Sequence, residues 1–190
     1  MTKLHLRPPV FLLLLLVIAQ GCLTAGHKEL RLSLNPNGIS GSGTLIFTRI
    51  HSESSNDTAN ETKADFNSLI TEYYQGKKIE QSLPGITNVK KRLFIDGKEL
   101  VGELTFDFED ISQLGFYRYK GSGCYMYYTL ADGVFSSGQF EASNGSYGGD
   151  KMPVVFWDQS TRDFYIKVAL SSSQVPEHSL NELYSAWSKR

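Results

Sequence analysis

Val89-Lys-Lys-Arg-Leu93-Phe-Ile95-Asp96-Gly97-Lys-Glu-Leu100-Val-Gly102-Glu-Leu104-Thr-Phe106-Asp-Phe108 is the stretch from which the fold of this chain can be read. Val89, Lys91, Leu93 and Ile95 alternate before Asp96-Gly97, the strongest two-residue hairpin signal. Leu100, Gly102, Leu104, Phe106 and Phe108 alternate after it, while Val101, Glu103, Thr105 and Asp107 fall on the wetter face. A period of two on both sides of a tight turn predicts an antiparallel hairpin with one face buried.

The same grammar extends outward. Toward the N-terminus, Leu30, Leu32 and Leu34 alternate within a strand over His27 to Leu34. Asn35-Pro36-Asn37-Gly38 is a turn, in which Pro presets φ and Gly supplies a positive φ. Thr44 to His51 is the return strand, with apolar residues on both faces (Leu45 and Phe47, Ile46 and Ile50). Ser52 to Glu61 is a polar loop without periodicity. Thr62 and Asp65 then read as the N-cap and third residue of a helix, Phe66, Leu69, Ile70 and Tyr73 as its apolar stripe, and Gly76 as its C-cap.

Toward the C-terminus, Glu109 to Leu114 is a short turn. Strands are predicted over Phe116 to Tyr119, Cys124 to Leu130, Val134 to Ala142, Val154 to Trp157 and Phe164 to Leu170, all in short-loop sequence and therefore antiparallel. A second helix closes the chain, with Ser179 and Glu182 as a capping box and Leu180, Leu183, Tyr184 and Trp187 as its buried stripe. The fold class is α+β: a curved antiparallel sheet packed with two amphipathic helices, a half-barrel or, as the alternative, a closed barrel.

The N-terminus carries an address. Lys3 and Arg7 precede an apolar run from Val10 to Ala19, followed by Ala19-Gln20-Gly21-Cys22. A basic start, a short apolar core and small residues make a secretory signal. The run is too short to span a bilayer, which takes roughly 20 residues. Ala19 to Cys22 resembles the lipobox of bacterial lipoproteins, with Ala19 where that family usually has Leu. The resemblance implies cleavage after Gly21 and acylation of Cys22 with diacylglycerol and palmitate-type chains. More than one chain makes such an anchor durable. The organisation that follows is a signal peptide over 1–21, a lipidated Cys and short tether over 22–26, and one domain over 27–190. Leu23, a non-acidic residue after the Cys, implies sorting to the outer membrane of a host with two membranes. The alternative is an ordinary signal peptide, with Cys22 and Cys124 available for one disulfide. The sequons at Asn56, Asn60 and Asn144 would matter only in a eukaryotic secretory pathway.

Without residues 1–21 the chain holds 17 Lys and Arg against 20 Asp and Glu, a net charge near −3. With no basic excess and no basic stripe, nucleic acid is excluded as a partner. Lys90-Lys91-Arg92 reads as a solvated strand face.

No catalytic motif is present. There is no Gly-x-Ser-x-Gly elbow, and Cys124 after Gly121-Ser122-Gly123 reads as a small buried hydrophobe. His27, His51 and His178 lie far apart and read as solvated or capping residues; with no metal-ligand spacing, neither a metal nor another cofactor is expected. Asp107, Glu109 and Asp110 read as a solvated strand end, and Asp158, Arg162 and Asp163 as a charged hairpin tip.

Aromatic residues make up 12% of the chain and concentrate at Tyr117, Tyr119, Tyr125, Tyr127 and Tyr128. Two readings stand side by side: a cross-strand ladder that stabilises the sheet, or a stacking surface for a sugar or lipid headgroup. The Gly-rich loop from Asn144 to Met152 would serve as a lid. Leu30 to Thr44 and the Gly-x-x-x-Phe-x-Phe-x-x-Ile pattern within Val101 to Leu114 resemble the LppM-type lipoprotein domain, also known as a bacterial domain of unknown function. That resemblance spans residues 23–120 and implies an exported α/β module for which glycolipid binding has been proposed.

The expected function is therefore that of a non-enzymatic, membrane-anchored envelope lipoprotein binding an apolar or amphiphilic ligand such as a lipid or glycolipid. Its cavity would be lined by Phe106, Phe108, Tyr128 and Trp187. The alternative is an assembly protein docking another envelope protein through its sheet edge or tyrosine face.

Overall fold

The computed structural model describes residues 22–54, 59–129, 138–170 and 175–189. The signal segment, the turn at Ala131-Asp132-Gly133 and the first part of the strand expected from Val134 lie outside these residues.

Among the described residues, eleven strands and three short α-helices follow in the order β1 (Cys22–Leu34), β2 (Gly41–Glu53), α1 (Ala59–Ser68), α2 (Lys78–Ser82), β3 (Ile86–Asp96), β4 (Glu99–Phe108), β5 (Phe116–Arg118), β6 (Tyr125–Tyr128), β7 (Gln139–Ser143), β8 (Ser146–Tyr147), β9 (Val154–Trp157), β10 (Asp163–Ala169), β11 (Glu177–Ser179) and α3 (Asn181–Trp187). A π-helical turn over Leu69–Tyr74 continues α1, and a 3-10 turn over Ile111–Leu114 joins β4 to β5.

The strands form two antiparallel sheets. The large one runs β3-β4-β2-β1-β10-β7, with β11 also paired to β2, and the small one runs β5-β6-β9-β8. Neither closes into a barrel, which removes the barrel alternative. The strands after the central hairpin are not one meander. β10 returns to pair with β1, matching Leu30 to Ile166 and Leu32 to Phe164. Such a distant pairing leaves no local signal in the sequence.

Both cores lie on one face of the large sheet. The first holds Leu30, Leu32, Leu104, Phe106 and Phe108 against Phe116, Tyr125, Tyr127 and Trp157 of the small sheet. The second holds Ala25, Ile50, Leu93 and Leu100 against Phe66, Leu69 and Ile70 of the helical layer and Leu180. Gly43 sits opposite Phe106, and a Cβ there would run into the Phe106 and Leu32 side chains.

β2 serves both cores through a kink. Its pairing with β1 skips Gly26 and Arg49, and Arg49 has φ 54°, a left-handed conformation costly for a branchless L-residue as for any other. The left-handed backbone there, opposite Gly26, turns side-chain alternation by one place without changing the register with β1. Gly43, Leu45 and Phe47 therefore face inward before it, and Ile50 and Ser52 after it. This resolves why apolar residues in β2 fell on two apparent faces.

Local differences from the sequence reading have local causes. β1 begins at Cys22, not His27, so the backbone of residues 22–25 pairs with β2. Helix α1 starts before Thr62, which lies inside it. Ser179 belongs to β11, and Leu180 takes the N-cap of α3 without a side-chain cap, so the capping box does not form. Tyr147, expected within a lid, stacks on Phe140 at 3.9 Å and pairs in the β8–β9 hairpin. In the central hairpin Asp96 pairs with Glu99, so the two loop residues are Gly97 and Lys98, and the positive φ of 58° falls on Gly97. Gly at the first loop position is the type II′ arrangement.

Gly97 has nothing within 4 Å of an added Cβ. Gly97→Ala is therefore expected to cost about 1–2 kcal/mol through backbone strain alone, and Asp96→Ala to be nearly neutral. Urea unfolding of the two variants checks this.

Candidate functional site

Where the two cores meet, the inner face does not fill. A cavity of about 410 Å³ lies between the large sheet and the helical layer, within the range of small-molecule sites. Its floor is Leu45, Phe47, Ile50, Gly102 and Leu104 of β2 and β4, and its roof is Leu69, Tyr73, Tyr74, Ile79 and Leu83. Leu23 and Ala25 of β1 form one side. Gly102 is central: it pairs with Phe47 on one side and Leu93 on the other, and a side chain there would meet only the flexible tip of Ile50 at 3.1 Å and Leu93 at 4.0 Å.

Cations enter this apolar space. Lys28 lies on the inner face of β1, its ammonium 5.6 Å from the centre of the Phe47 ring. Burial lowers its pKa to about 8, because the charged form gives up hydration. Lys91, expected on a solvated face, instead turns inward from β3. Its ammonium donates to the carbonyls of Tyr73 at 2.8 Å and Gly76 at 2.6 Å and pairs with Glu80 at 2.7 Å. It thereby holds the open end of the π-helical turn, whose carbonyls have no further helix to bond. Arg92, its neighbour, faces the other way and pairs with Glu103 at 2.7 Å. Lys78 at the cavity edge pairs with Glu72 at 2.5 Å, and hydrogen bonding to that carboxylate raises the lysine's pKa.

The residues singled out from sequence are distributed differently. Phe106 and Phe108 lie in the first core, sealed by the small sheet, and do not line the cavity. Trp187 packs edge-on against Tyr74 at 5.7 Å and so supports the roof from behind. The tyrosines divide in two. Tyr125 and Tyr127 are buried, Tyr125 donating from its hydroxyl to the Gly38 carbonyl at 3.0 Å, within a ring cluster that includes Phe116 and Phe164. Tyr117, Tyr119 and Tyr128 remain about half exposed on the outside of the small sheet. Tyr117 pairs with Met126 and Phe116 with Tyr127, so the ladder is mixed. The side chain of Cys22 lies outside the described residues.

The other candidates keep modest roles. Asp110 caps the 3-10 turn by accepting from the Ser112 backbone at 2.8 Å, which holds its pKa below the usual carboxylate value. Asp158 accepts from the Ser160 hydroxyl at 2.7 Å and its backbone nitrogen at 2.8 Å, and these bonds, the hydroxyl's first, hold its pKa below the usual carboxylate value. Cys124 is half-buried with a free thiol in the β5–β6 turn, where Ser122 Oγ accepts from its backbone nitrogen at 3.4 Å. His27, His51 and His178 all lie on the large sheet, away from that turn. His51 is not solvated: only 3% of it is exposed.

The cavity residues were missed because their signals are ordinary. Leu, Ile and Phe in alternation look the same whether they border a void or fill one. The one available pointer was Lys91, an ammonium at an inward position of the most regular strand in the chain.

No protein-family model, no curated protein and no solved structure matches this chain, so the site stands on its own geometry.

Three outcomes follow from this geometry. Between pH 8 and 10.5 the unfolded chain keeps the Lys28 proton that the folded chain has released, so raising the pH stabilises the protein across that window. Lys28→Met is accordingly expected to be more stable near neutral pH by roughly 2–3 kcal/mol, the advantage fading through that window in pH-dependent denaturant melts. Lys91→Met, which strands Glu80 and two carbonyls, should lose roughly 2 kcal/mol. Tyr125→Ala should lose about 3–5 kcal/mol by the measure of large-to-small core changes, whereas Tyr117→Ser should move stability by less than about 0.5 kcal/mol.

Proposed function

We propose that this chain is an envelope lipoprotein, anchored through Cys22, whose domain holds one amphiphilic molecule with an anionic head in the cavity between sheet and helices. Lipids and glycolipids are the class it fits, and the protein performs no chemistry on its ligand. The cavity carries this reading: its walls are aliphatic and aromatic, with the half-buried Lys28 ammonium among them. An alkyl chain gains by leaving water for such walls, at roughly 25 cal/mol per Å² of apolar surface. An anionic head is attracted to the Lys28 ammonium among these walls.

The large sheet in this reading curves as a half-barrel around its ligand, which is supported by the placement of both cores on one face. Leu23 and Ala25 belong to the cavity wall and follow directly on Cys22. An acylated Cys22 would therefore hold this side of the cavity close to the bilayer, in the outer membrane where the host has two. The resemblance to LppM-type domains accords with such a module.

The exposed Tyr117, Tyr119 and Tyr128 favour a second reading, in which the outside of the small sheet docks another envelope protein.

Titration with cis-parinaric acid, a fluorescent fatty acid, tests the first reading. The full chain should bind it with an affinity that is flat from about pH 6, where the fatty-acid carboxylate is ionised, to pH 8, and falls above it, up to tenfold per pH unit, as Lys28 loses its proton. Gly102→Leu, which grows a side chain into the cavity, should abolish binding while leaving the chain folded. Undiminished binding by Gly102→Leu would sink the cavity reading. Retention of Cys22→Ser in the membrane fraction as firmly as the unaltered chain would sink the anchor.

A further inference from the structure

On the opposite face of β2 from the cavity, past the Arg49 kink, three ligating side chains converge. His51 and Glu53 are two apart on β2 and so share a face. Glu177 of β11 pairs directly across from Glu53. We propose that His51, Glu53 and Glu177 form a site for one divalent transition-metal ion of the zinc class, with a fourth position left open to water.

The histidine is set up as a ligand. His51 Nδ1 lies 2.7 Å from the Arg49 carbonyl, which can only accept, so Nδ1 carries a proton and Nε2 is the ring nitrogen left to face a ligand. A ring nitrogen fixed in this way by a backbone carbonyl is the usual support behind a metal-bound histidine. Nε2 is buried and has no hydrogen-bond partner. It faces Glu53 Oε1 at 3.5 Å and Glu177 Oε1 at 3.6 Å, too long for good hydrogen bonds.

Those separations suit a shared cation. Ligands about 2.0–2.1 Å from a tetrahedral zinc ion lie about 3.3–3.5 Å from one another. All three ligand atoms lie within 4.8 Å of each other, close enough for small side-chain shifts to complete the set. Two carboxylates directed at one imidazole nitrogen form a donor set that attracts a cation. The imidazole argues against Ca²⁺ and Mg²⁺, which take oxygen ligands, and for zinc and its neighbours.

Arg49 builds the frame. Its carbonyl fixes the ring of His51, and its guanidinium donates to Glu177 Oε2 at 3.2 Å, which leaves Oε1 directed at the imidazole. Gly26 permits this, because a Cβ there would strike the guanidinium, 2.8 Å from Nη2.

Isothermal titration of ZnCl₂ into the full-length, chelator-stripped chain at neutral pH reads the site. One Zn²⁺ per chain is expected. Glu177→Gln, an edge-strand change that keeps side-chain shape, should weaken it at least tenfold, and His51→Ala should abolish it. His178→Ala, the next position on β11, should bind as the unaltered chain does. Circular dichroism establishes that each variant is folded, and Glu177→Gln decides the matter if His51→Ala is not. Absence of one-to-one binding by the folded chain overturns the proposal. Undiminished binding by Glu177→Gln overturns it too, as does equal binding of Ca²⁺.

Discussion

The left-handed backbone at Arg49 is the constraint on which the rest of the structure depends. β2 is the most heavily paired strand, with β1, β4 and β11 as partners. A regular strand of 13 residues would send its far end's apolar side chains to the wrong face. One irregular position corrects this, so that Leu45 and Phe47 close one core and Ile50 the other. The conformational cost, about 1–2 kcal/mol for an L-residue, is offset by the burial of Ile50 and by the reach of the Arg49 side chain across Gly26.

A void follows from having two cores on one sheet. The small sheet seals one end of the inner face and the helical layer seals the other, and Phe47 and Leu170 touch both. Between them the helices must stand off the sheet, because Gly102 offers no side chain and the π-helical turn is held by Lys91 at its end. The wider turn at Leu69–Tyr74 directs Leu69, Tyr73 and Tyr74 toward the gap. π-helical turns are rare and recur at functional positions. The gap also contains Lys28, whose burial opposes folding at neutral pH.

The two proposed sites occupy opposite faces of the same end of β2, and both lie beside the start of β1. Cys22 pairs with Glu53, and Thr24 with His51. Were Cys22 acylated, the metal cluster and the Leu23 side of the cavity would both lie near the membrane surface, with no slack chain between anchor and domain. Strand β11 closes this corner. It supplies Glu177 and leads through Leu180, fully buried, into α3, whose Tyr184 hydroxyl donates to the Leu93 carbonyl at 2.5 Å.

The sequence by itself determined what depends on near neighbours. The hairpin of β3 and β4, the Asn35 to Gly38 turn, the stripe of α3 and the inward set Leu100 to Phe108 are all present, because a period of two or 3.6 and a turn residue's φ are local properties. The lipobox-like Ala19 to Cys22 is likewise a local pattern, and the export it implies is an expectation from the sequence. What only the tertiary structure decided is every feature made by residues distant along the chain. Alternation shows that Leu45 faces inward but not whether a side chain meets it there, so the cavity was invisible. Tyr125 and Tyr117 are alike in composition and local pattern, yet one is buried because Phe164 of β10 arrives against it and the other is not. His51, Glu53 and Glu177 have no metal-ligand spacing, because their proximity comes from the β2–β11 pairing. Packing and ligand geometry are properties of the closed chain, and no window of sequence contains them.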